Sequence, residues 1–202
     1  MPILLTTVIG VIIIGSSIAS YVQGKDKKKI KEFLREENKT YIKSKDELNK
    51  IHFVEINFND IKFKPKSVKT KEDVKALLSY QDLKLANFKD VSNSELKKTF
   101  GSNNFKEVLE YQNNYDDMFK QLRITTESLI KDNDDKSAIS LLNYSINMGS
   151  DVTKDYTMLA DLYAKNKMRM EMFELIDNVR TNKNLSQQKI MNHIKELETK
   201  NN

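Results

Sequence analysis

An uncharged stretch near the start of the chain constrains its fold more than any other feature of the sequence. Residues 3–22, ILLTTVIGVIIIGSSIASYV, carry no charge, and the basic run KDKKKIK begins at residue 25. A helix of about 20 apolar residues crosses the hydrocarbon core of a bilayer, whereas a soluble helix that is apolar all round needs a large domain to cover it. We therefore predict a transmembrane helix, with residues 1–24 as a single-pass membrane anchor.

The flanking charges predict which side of the membrane holds the rest of the chain. The α-amino group is the one charge before the stretch, and after it five lysines accompany one aspartate in residues 25–31. Such basic loops stay cytoplasmic, so we expect the N-terminus outside the cell membrane and the C-terminal body in the cytoplasm. The lysines expected at the anionic membrane surface, each worth about 1 kcal/mol there, are Lys25, Lys27, Lys28, Lys29 and Lys31.

A cleaved signal peptide is the alternative interpretation of the same stretch. Ser17 and Ala19, just before Ser20, have the small-x-small form of a cleavage site. Two features favour the anchor, because no basic segment precedes the stretch and because it is longer than the apolar part of a usual signal peptide. The alternative predicts an exported or cell-surface helical binding protein.

Small residues recur in the stretch at a spacing that brings membrane helices together. Gly15 with Ala19 and Ser16 with Ser20 each have small-x3-small spacing, which lets two such helices pack closely. The pattern allows a homodimer through the anchor, and the simpler interpretation, which short motifs favour, is that lipid tolerates small residues at these positions.

Composition favours long helices in the remaining body of about 180 residues. The chain has 5 glycines and 2 prolines, too few for the many tight turns of a β-sandwich or a Rossmann-type fold. We therefore predict a mainly α fold. The sequence contains no cysteine, which excludes a disulfide framework and a thiolate zinc site.

The net charge of the chain is explained by a membrane better than by nucleic acid. The formal charge is +5, and the excess is concentrated in the basic run after the anchor, where an anionic leaflet attracts it. The body mixes both signs and has no tryptophan and no basic stripe that alternates with aromatic residues. We therefore predict no nucleic-acid partner.

The spacing of apolar residues divides the body into segments. Residues 25–50 have helical spacing and are predicted to form a basic juxtamembrane helix. In residues 51–66 the spacing of the apolar residues changes. Up to residue 64 they recur at every second position, on both sides of the turn-prone pair Asn59-Asp60. This alternation predicts a short β-hairpin or an extended arm. Helical spacing returns in residues 67–118, which are predicted to be a helical region.

An internal repeat follows in residues 119–186, with an offset of 34 residues. Five pairs of matching positions define it: Leu122 with Tyr156, Leu129 with Tyr163, Ala138 with Met172, Leu142 with Ile176, and Ser145 with Val179. Small residues in such a pattern let two helices approach closely, while tyrosine and leucine fill the space between neighbouring pairs. The alternative is a generic antiparallel helical bundle in which the offset arises by chance.

Two segments of this repeat resemble the tetratricopeptide repeat. YTMLADLYAKNK resembles the first helix of that family, W-x2-L-G-x2-Y, and SAISLLNYS resembles its second helix, A-x3-F-x2-A. The matching residues are Tyr156, Leu159, Ala160 and Tyr163 in the first helix, and Ala138, Leu142 and Ser145 in the second. The sequence departs from the family at Thr125-Thr126, where Leu-Gly is expected, and at Met172, where a small residue is expected.

The resemblance implies an α-solenoid that ends in a polar-backed capping helix and tail over residues 187–202. It also implies a groove that binds a protein or peptide partner and is lined by the first helix of each repeat. The implied groove residues are Lys120, Arg123, Glu127, Lys131, Thr157, Met158, Asp161 and Lys165. Their mixed charge does not match the Lys/Asn clamp that some family members use for C-terminal carboxylates, so we predict no such ligand.

The residues that carry chemistry in other proteins form no catalytic or metal-binding set in this sequence. His52 and His193 are the two histidines, too few for a histidine-rich zinc site. Asp132, Asp134 and Asp135 superficially resemble a calcium loop but lack its turn glycine and its distal bidentate glutamate. We predict no catalytic residue, no metal and no cofactor.

These observations favour a membrane-anchored cytoplasmic adaptor or scaffold that binds a protein or peptide partner through its helical repeats. The exported binding protein with a cleaved signal peptide is the alternative, and an enzyme is the third class. A short run, RMEMF, contains Met170, Met172 and Phe173 after Met168. Methionine-rich surfaces adapt to partners, although alternate members of such a run also fill a core.

Overall fold

The computed structural model describes residues 27–29, 31–32 and 41–200, and in this part of the chain all regular structure is helical. Short 3-10 helices span Lys45–Lys50 and Ser79–Asp82. The α-helices with described bounds are α1 (Val68–Leu78), α2 (Asn93–Phe100), α3 (Phe105–Lys131), α4 (Asp135–Asn147), α5 (Thr153–Lys165), α6 (Arg169–Thr181) and α7 (Gln187–Lys200). The predicted mainly α fold is confirmed.

The predicted anchor lies outside the described residues. This holds for residues 1–24, with Gly15, Ser16, Ala19 and Ser20, and for Lys25. The other four lysines of the basic run are helical and exposed. At the end of the segment predicted as a juxtamembrane helix, Lys45–Lys50 form a 3-10 helix and not an α-helix. Within the described ranges, no helix has both the length and the apolar character that a membrane crossing requires.

The described chain forms two compact units, and the smaller one contains the described residues up to Lys50 together with residues 90–108. Its helix α2 begins with a capping box, in which Ser92 binds the backbone N–H of Glu95 and the Glu95 side chain binds back. The turn after α2 is joined to the segment before the first 3-10 helix. There the Asn103 side-chain amide donates to the carbonyl of Lys43 over 2.9 Å, and the Asn104 amide donates to that of Ser44 over 3.1 Å.

Replacing Gly101 in this turn by alanine is expected to destabilise the protein more than replacing Gly149. Both have a positive φ, 96° and 90°, which costs about 1 kcal/mol for a residue with a Cβ. A Cβ on Gly101 would also lie 2.7 Å from the Asn103 Oδ1 and 2.9 Å from the Lys43 Cβ. A Cβ on Gly149 would have no other atom within 4 Å. Thermal unfolding of the two variants tests this, and equal shifts in Tm would contradict it.

The larger unit contains residues 51–89 and the described residues from 109 onward, and it opens with an extended arm. Of the two structures predicted for residues 51–66, the arm is the one observed. The chain turns at Asn59-Asp60, but no strand forms in this described segment. Phe58 is buried, with 1% of its surface exposed. The arm therefore packs against helices, which a lone hairpin would also need for stability in water.

The core of the larger unit lies between packed helix pairs. Helix α4 packs on α5, α5 packs on both α6 and α7, and α6 packs on α7. Connections of three to five residues join α3 to α7 in turn, so packed neighbours in the chain run in opposite directions. Fully buried side chains in this core include Leu122, Leu129, Leu141, Leu142, Leu159, Ile190 and Ile194.

The helices repeat at the offset that the sequence predicts. Helix α6 begins and ends 34 residues after the corresponding bounds of α4. Helix α5 ends 34 residues after α3 ends, and α7 begins 34 residues after α5 begins. Nine of the ten aligned residues are buried, and Met172 is half-buried. Burial at matching positions explains the offset, because each helix pair must present the same apolar positions to its neighbours.

The turns that end α3 and α5 repeat as well. Asn133 and Lys167, which occupy the same place in successive repeats, have φ values of 56° and 57°. After each, a backbone N–H reaches back five residues, from Asp134 to the Leu129 carbonyl and from Met168 to the Tyr163 carbonyl, over 2.9 Å in both cases. This left-handed turn satisfies carbonyls at the end of one helix and directs the chain into the next.

Candidate functional site

The residues predicted to bind a partner lie on α3 and α5, and ion pairs join these two helices. The Arg123 Nε donates to the Asp155 Oδ1 over 2.7 Å, and the Lys154 ammonium pairs with the Glu127 carboxylate. Because each pair joins helices of successive repeats, the two sets of predicted residues belong to neighbouring helices. Lys120 pairs within α3, with the Asp117 carboxylate 2.8 Å away.

Asp155 is the centre of a buried polar network. Its side chain is 2% exposed, and besides Arg123 it accepts hydrogen bonds from the hydroxyls of Ser150 over 2.6 Å and Ser145 over 3.1 Å. The Tyr156 hydroxyl extends the network to the Ser150 carbonyl. A buried carboxylate needs such donors, so the Arg123 side chain, 20% exposed, is engaged in joining α3, α4 and α5.

The remaining predicted residues on α5 have contacts of other kinds. Asp161 lies 2.7 Å from the Nε2 of His193 on α7, so this pair joins α5 to the last helix. The Thr157 hydroxyl donates to the Lys154 carbonyl, and Met158 is half-buried against the core. Lys131, at the end of α3, is exposed. The face shared by α3 and α5 is therefore partly occupied by pairs that join successive helices.

Lys165 turns away from this face, toward the start of α4. Its ammonium donates to the Asp135 Oδ1 over 2.9 Å, and the Asn166 amide donates to the Oδ2 over the same distance. Partial burial raises the pKa of Asp135, but the hydrogen bonds from Lys165 and Asn166 outweigh it and hold that pKa below its usual value.

The acidic cluster of the α3–α4 turn binds the backbone of the arm. The Asp132 Oδ2 accepts the N–H groups of Lys66 over 2.7 Å and Ser67 over 2.8 Å, and the Asp134 Oδ2 accepts that of Lys64 over 2.8 Å. Asp134 also caps α4 by accepting the N–H of Ser137. These bonds give the carboxylates a structural role. No group of three or more potential metal ligands occurs in the described part of the chain.

Acid is expected to release the arm from Asp132 near pH 2. The N–H of Ser67, helped by that of Lys66, lowers the pKa of this carboxyl from 3.8 to about 2. Because the folded protein binds the charged form, the attachment is complete above pH 3.8 and is lost as the pH falls toward 2. The amide chemical shifts of both residues should titrate with the lower pKa and should not titrate in D132N. A midpoint near 3.8 would contradict this.

Side chains of α4 hold the rest of the arm. The Ser137 hydroxyl donates to the Lys62 carbonyl over 3.1 Å, and the Tyr144 hydroxyl accepts the N–H of Asn57 over 3.1 Å. The ring of Tyr144 packs on Phe58, with centroids 4.9 Å apart. Sequence reasoning missed this site, because the hydrogen bonds that hold the arm go to its backbone N–H and C=O groups, which leave no motif in the sequence.

An open groove lies at the next turn of the repeat, between α5 and α6 and beside the end of α7. Its volume is about 770 Å³, and it is lined by Tyr163, Ala164, Lys165, Lys167, Met168, Arg169, Met172, Phe173, Leu197 and Glu198. Phe173 is 60% exposed and Met170, on the same helix, is 71% exposed. The methionine-rich run therefore divides, with Met168 and Met172 in the groove and Met170 on the surface. His52, by contrast, is exposed on the arm.

The fold defines the class as an α-helical protein of packed, repeated helix pairs. Comparison with protein-family models, with curated proteins and with solved structures gives no match to this chain.

Proposed function

We propose that the protein is a membrane-anchored adaptor that binds a protein partner through tetratricopeptide-like helical repeats. The observation that carries the proposal is the common register of helix bounds and left-handed turns in successive repeats from α3 to α7. Helix α5 packs on α7, its counterpart one repeat later. Repeats that stack in this way present an extended surface of successive first helices, which suits the binding of another protein.

The anchor rests on the sequence alone, through the uncharged residues 3–22 and the basic residues 25–31. Together they support a body on the cytoplasmic side, close to an anionic leaflet. The small-x-small pattern at Ser17 and Ala19 favours the second candidate, an exported helical binding protein with a cleaved signal peptide.

Site-specific photocrosslinking tests the partner surface. A photoreactive phenylalanine analogue is placed at Lys120 or Thr157 in the full chain, and at the exposed Lys136 of α4 as the matched control. We expect one adduct of discrete mass from the two test positions in the native membrane, and none from the control. Adducts of equal yield at all three positions, or none at any, would contradict a partner surface on α3 and α5.

Protease protection tests the topology. The full chain carries one epitope at each end, and intact cells are treated with protease from outside. We expect the C-terminal epitope to be shielded and the N-terminus to be unprocessed. Digestion of the C-terminal epitope, or a mature N-terminus that begins after Ala19, would instead support the exported protein.

A further inference from the structure

The structure already contains one peptide segment bound to the edge of a helical repeat. The arm runs along the α3–α4 turn without forming a strand, and there Asp132 and Asp134 accept its backbone N–H groups. The arm residues there, IKFKPK in positions 61–66, alternate apolar and basic side chains. Ile61 and Phe63 pack against the core, while the three lysines are exposed beside an acidic turn.

The groove occupies the corresponding place one repeat later, with the opposite charge. Met168 is the counterpart of Asp134, and Arg169 is the counterpart of Asp135, in the register of the repeat. Asp132, the third acidic residue of the first turn, corresponds to Asn166, so all three carboxylates are replaced, and Lys167, the counterpart of Asn133, adds a second cation beside Arg169. Of the groove's lining side chains, Glu198 carries the single negative charge.

Unlike the first turn, the second has no segment of the described chain bound across it. Ile139 of α4 is half-buried against the core, whereas its counterpart Phe173 is 60% exposed. Lys165 is held by Asp135, but Lys167 and Arg169 make no ion pair within the described residues. An apolar floor beside two unpaired cations fits a ligand with bulky apolar side chains and carboxylates.

We propose that this groove binds an extended acidic segment of a partner protein, in which large apolar residues alternate with aspartate or glutamate. The segment would lie as the arm lies on the first turn, with its apolar side chains on Met172 and Phe173 and its carboxylates beside Lys167 and Arg169. This proposal rests on the proposed function in one respect, namely that the repeats bind a protein, and it names the chemistry of the bound segment.

Charge excludes one occupant from within the chain itself. The basic run at residues 25–31 has five lysines and one aspartate, so it would be repelled by Lys167 and Arg169. The same repulsion applies to a second copy of the basic arm.

Two synthetic peptides test the proposal on the full chain in a neutral detergent. The acidic probe FNDIEFEPE is residues 58–66 with all three lysines replaced by glutamate, and the basic probe FNDIKFKPK is the natural segment. Each carries a fluorophore, and binding is measured by fluorescence anisotropy at low salt. We expect the acidic probe to bind at least about tenfold more tightly than the basic probe. The cations Lys167 and Arg169 attract its carboxylates and repel the lysines of the basic probe.

Reversing the groove charges should reverse this order. In K167E/R169E the acidic probe should lose its advantage and the basic probe should gain affinity. The matched control is K189E/K195E, which makes the same charge change at exposed positions on α7 and should behave like wild type. Phe173→Ser, at an exposed site, should weaken the acidic probe without changing the helical circular dichroism of the protein.

Other results would overturn the proposal. Equal binding of both probes to wild type, or equal effects of the groove and control variants, would show that net charge alone drives association. Binding to phosphatidylglycerol vesicles that K167E/R169E abolishes, with no peptide binding, would assign the groove to lipid. The crosslinks from Lys120 and Thr157 do not depend on any of these results, so they test the proposed adaptor function separately.

Discussion

Replacing Asp155 by alanine is expected to lower the free energy of unfolding by about 3 kcal/mol, at the lower end for breaking a buried ion pair because Arg123 keeps some access to water. The substitution removes the acceptor for Arg123 and for the hydroxyls of Ser145 and Ser150. The guanidinium, 20% exposed, would then remain without a counter-charge between α3 and α5.

Urea unfolding of the full chain in a neutral detergent, followed by circular dichroism, measures this loss. The control is Asp177→Ala, which removes an exposed carboxylate that pairs with Arg180 within α6 and should cost no more than about 0.5 kcal/mol. In the double variant R123M/D155L the loss of unfolding free energy should be smaller than the sum of the losses in R123M and in D155L. The double variant leaves neither charge unpaired. Additive losses would contradict the coupling of these two side chains.

The same pair shows how far sequence reasoning reaches for the candidate site. The resemblance to the tetratricopeptide repeat implies that Arg123 lines a partner groove on α3 with Lys120 and Glu127. Spacing within one helix cannot show which residue of another helix lies opposite. Asp155 lies 32 positions later, and its burial depends on the packing of α5, so the pair becomes visible only in the fold.

The repeat, by contrast, could be predicted because burial imposes it on the sequence directly. The matched positions at Leu122 and Tyr156, or Leu142 and Ile176, are apolar in both copies because both face the core. The left-handed turns at Asn133 and Lys167 were not predicted, since neither residue is a glycine. Their shared conformation follows from the helices that they join.

The arm is a second feature that the sequence could not predict uniquely. A period of two is common to a hairpin strand and to an extended segment, because it reports alternate burial and not the acceptors of the backbone N–H groups. Those acceptors are Asp132 and Asp134, some 70 positions beyond Lys64. An extended backbone bound by side chains has no local signature, so the sequence left the hairpin and the arm as alternatives.

Phe58→Ala is expected to detach the arm, at a cost of about 3 kcal/mol, which is usual for emptying a fully buried phenylalanine site. The ring is 1% exposed and packs on Tyr144 of α4. Without it, the hydrogen bonds from the arm to Asp132 and Asp134 would have to hold an extended chain on their own, and such exposed bonds are each worth about 1 kcal/mol. The control is Phe63→Ala, a half-buried site that should cost about half as much.

Limited trypsin digestion distinguishes a detached arm from an unfolded protein. Once the arm is mobile, cleavage should begin after Lys62 and Lys66, while Lys64 is protected by the following Pro65. The fragment that contains α3 to α7 should survive, since its core is built from the helix pairs and not from the arm alone. Simultaneous loss of that fragment would show instead that the arm is integral to the helical core. An unchanged digestion pattern would show that the side-chain acceptors of α4 and its preceding turn hold the arm without Phe58.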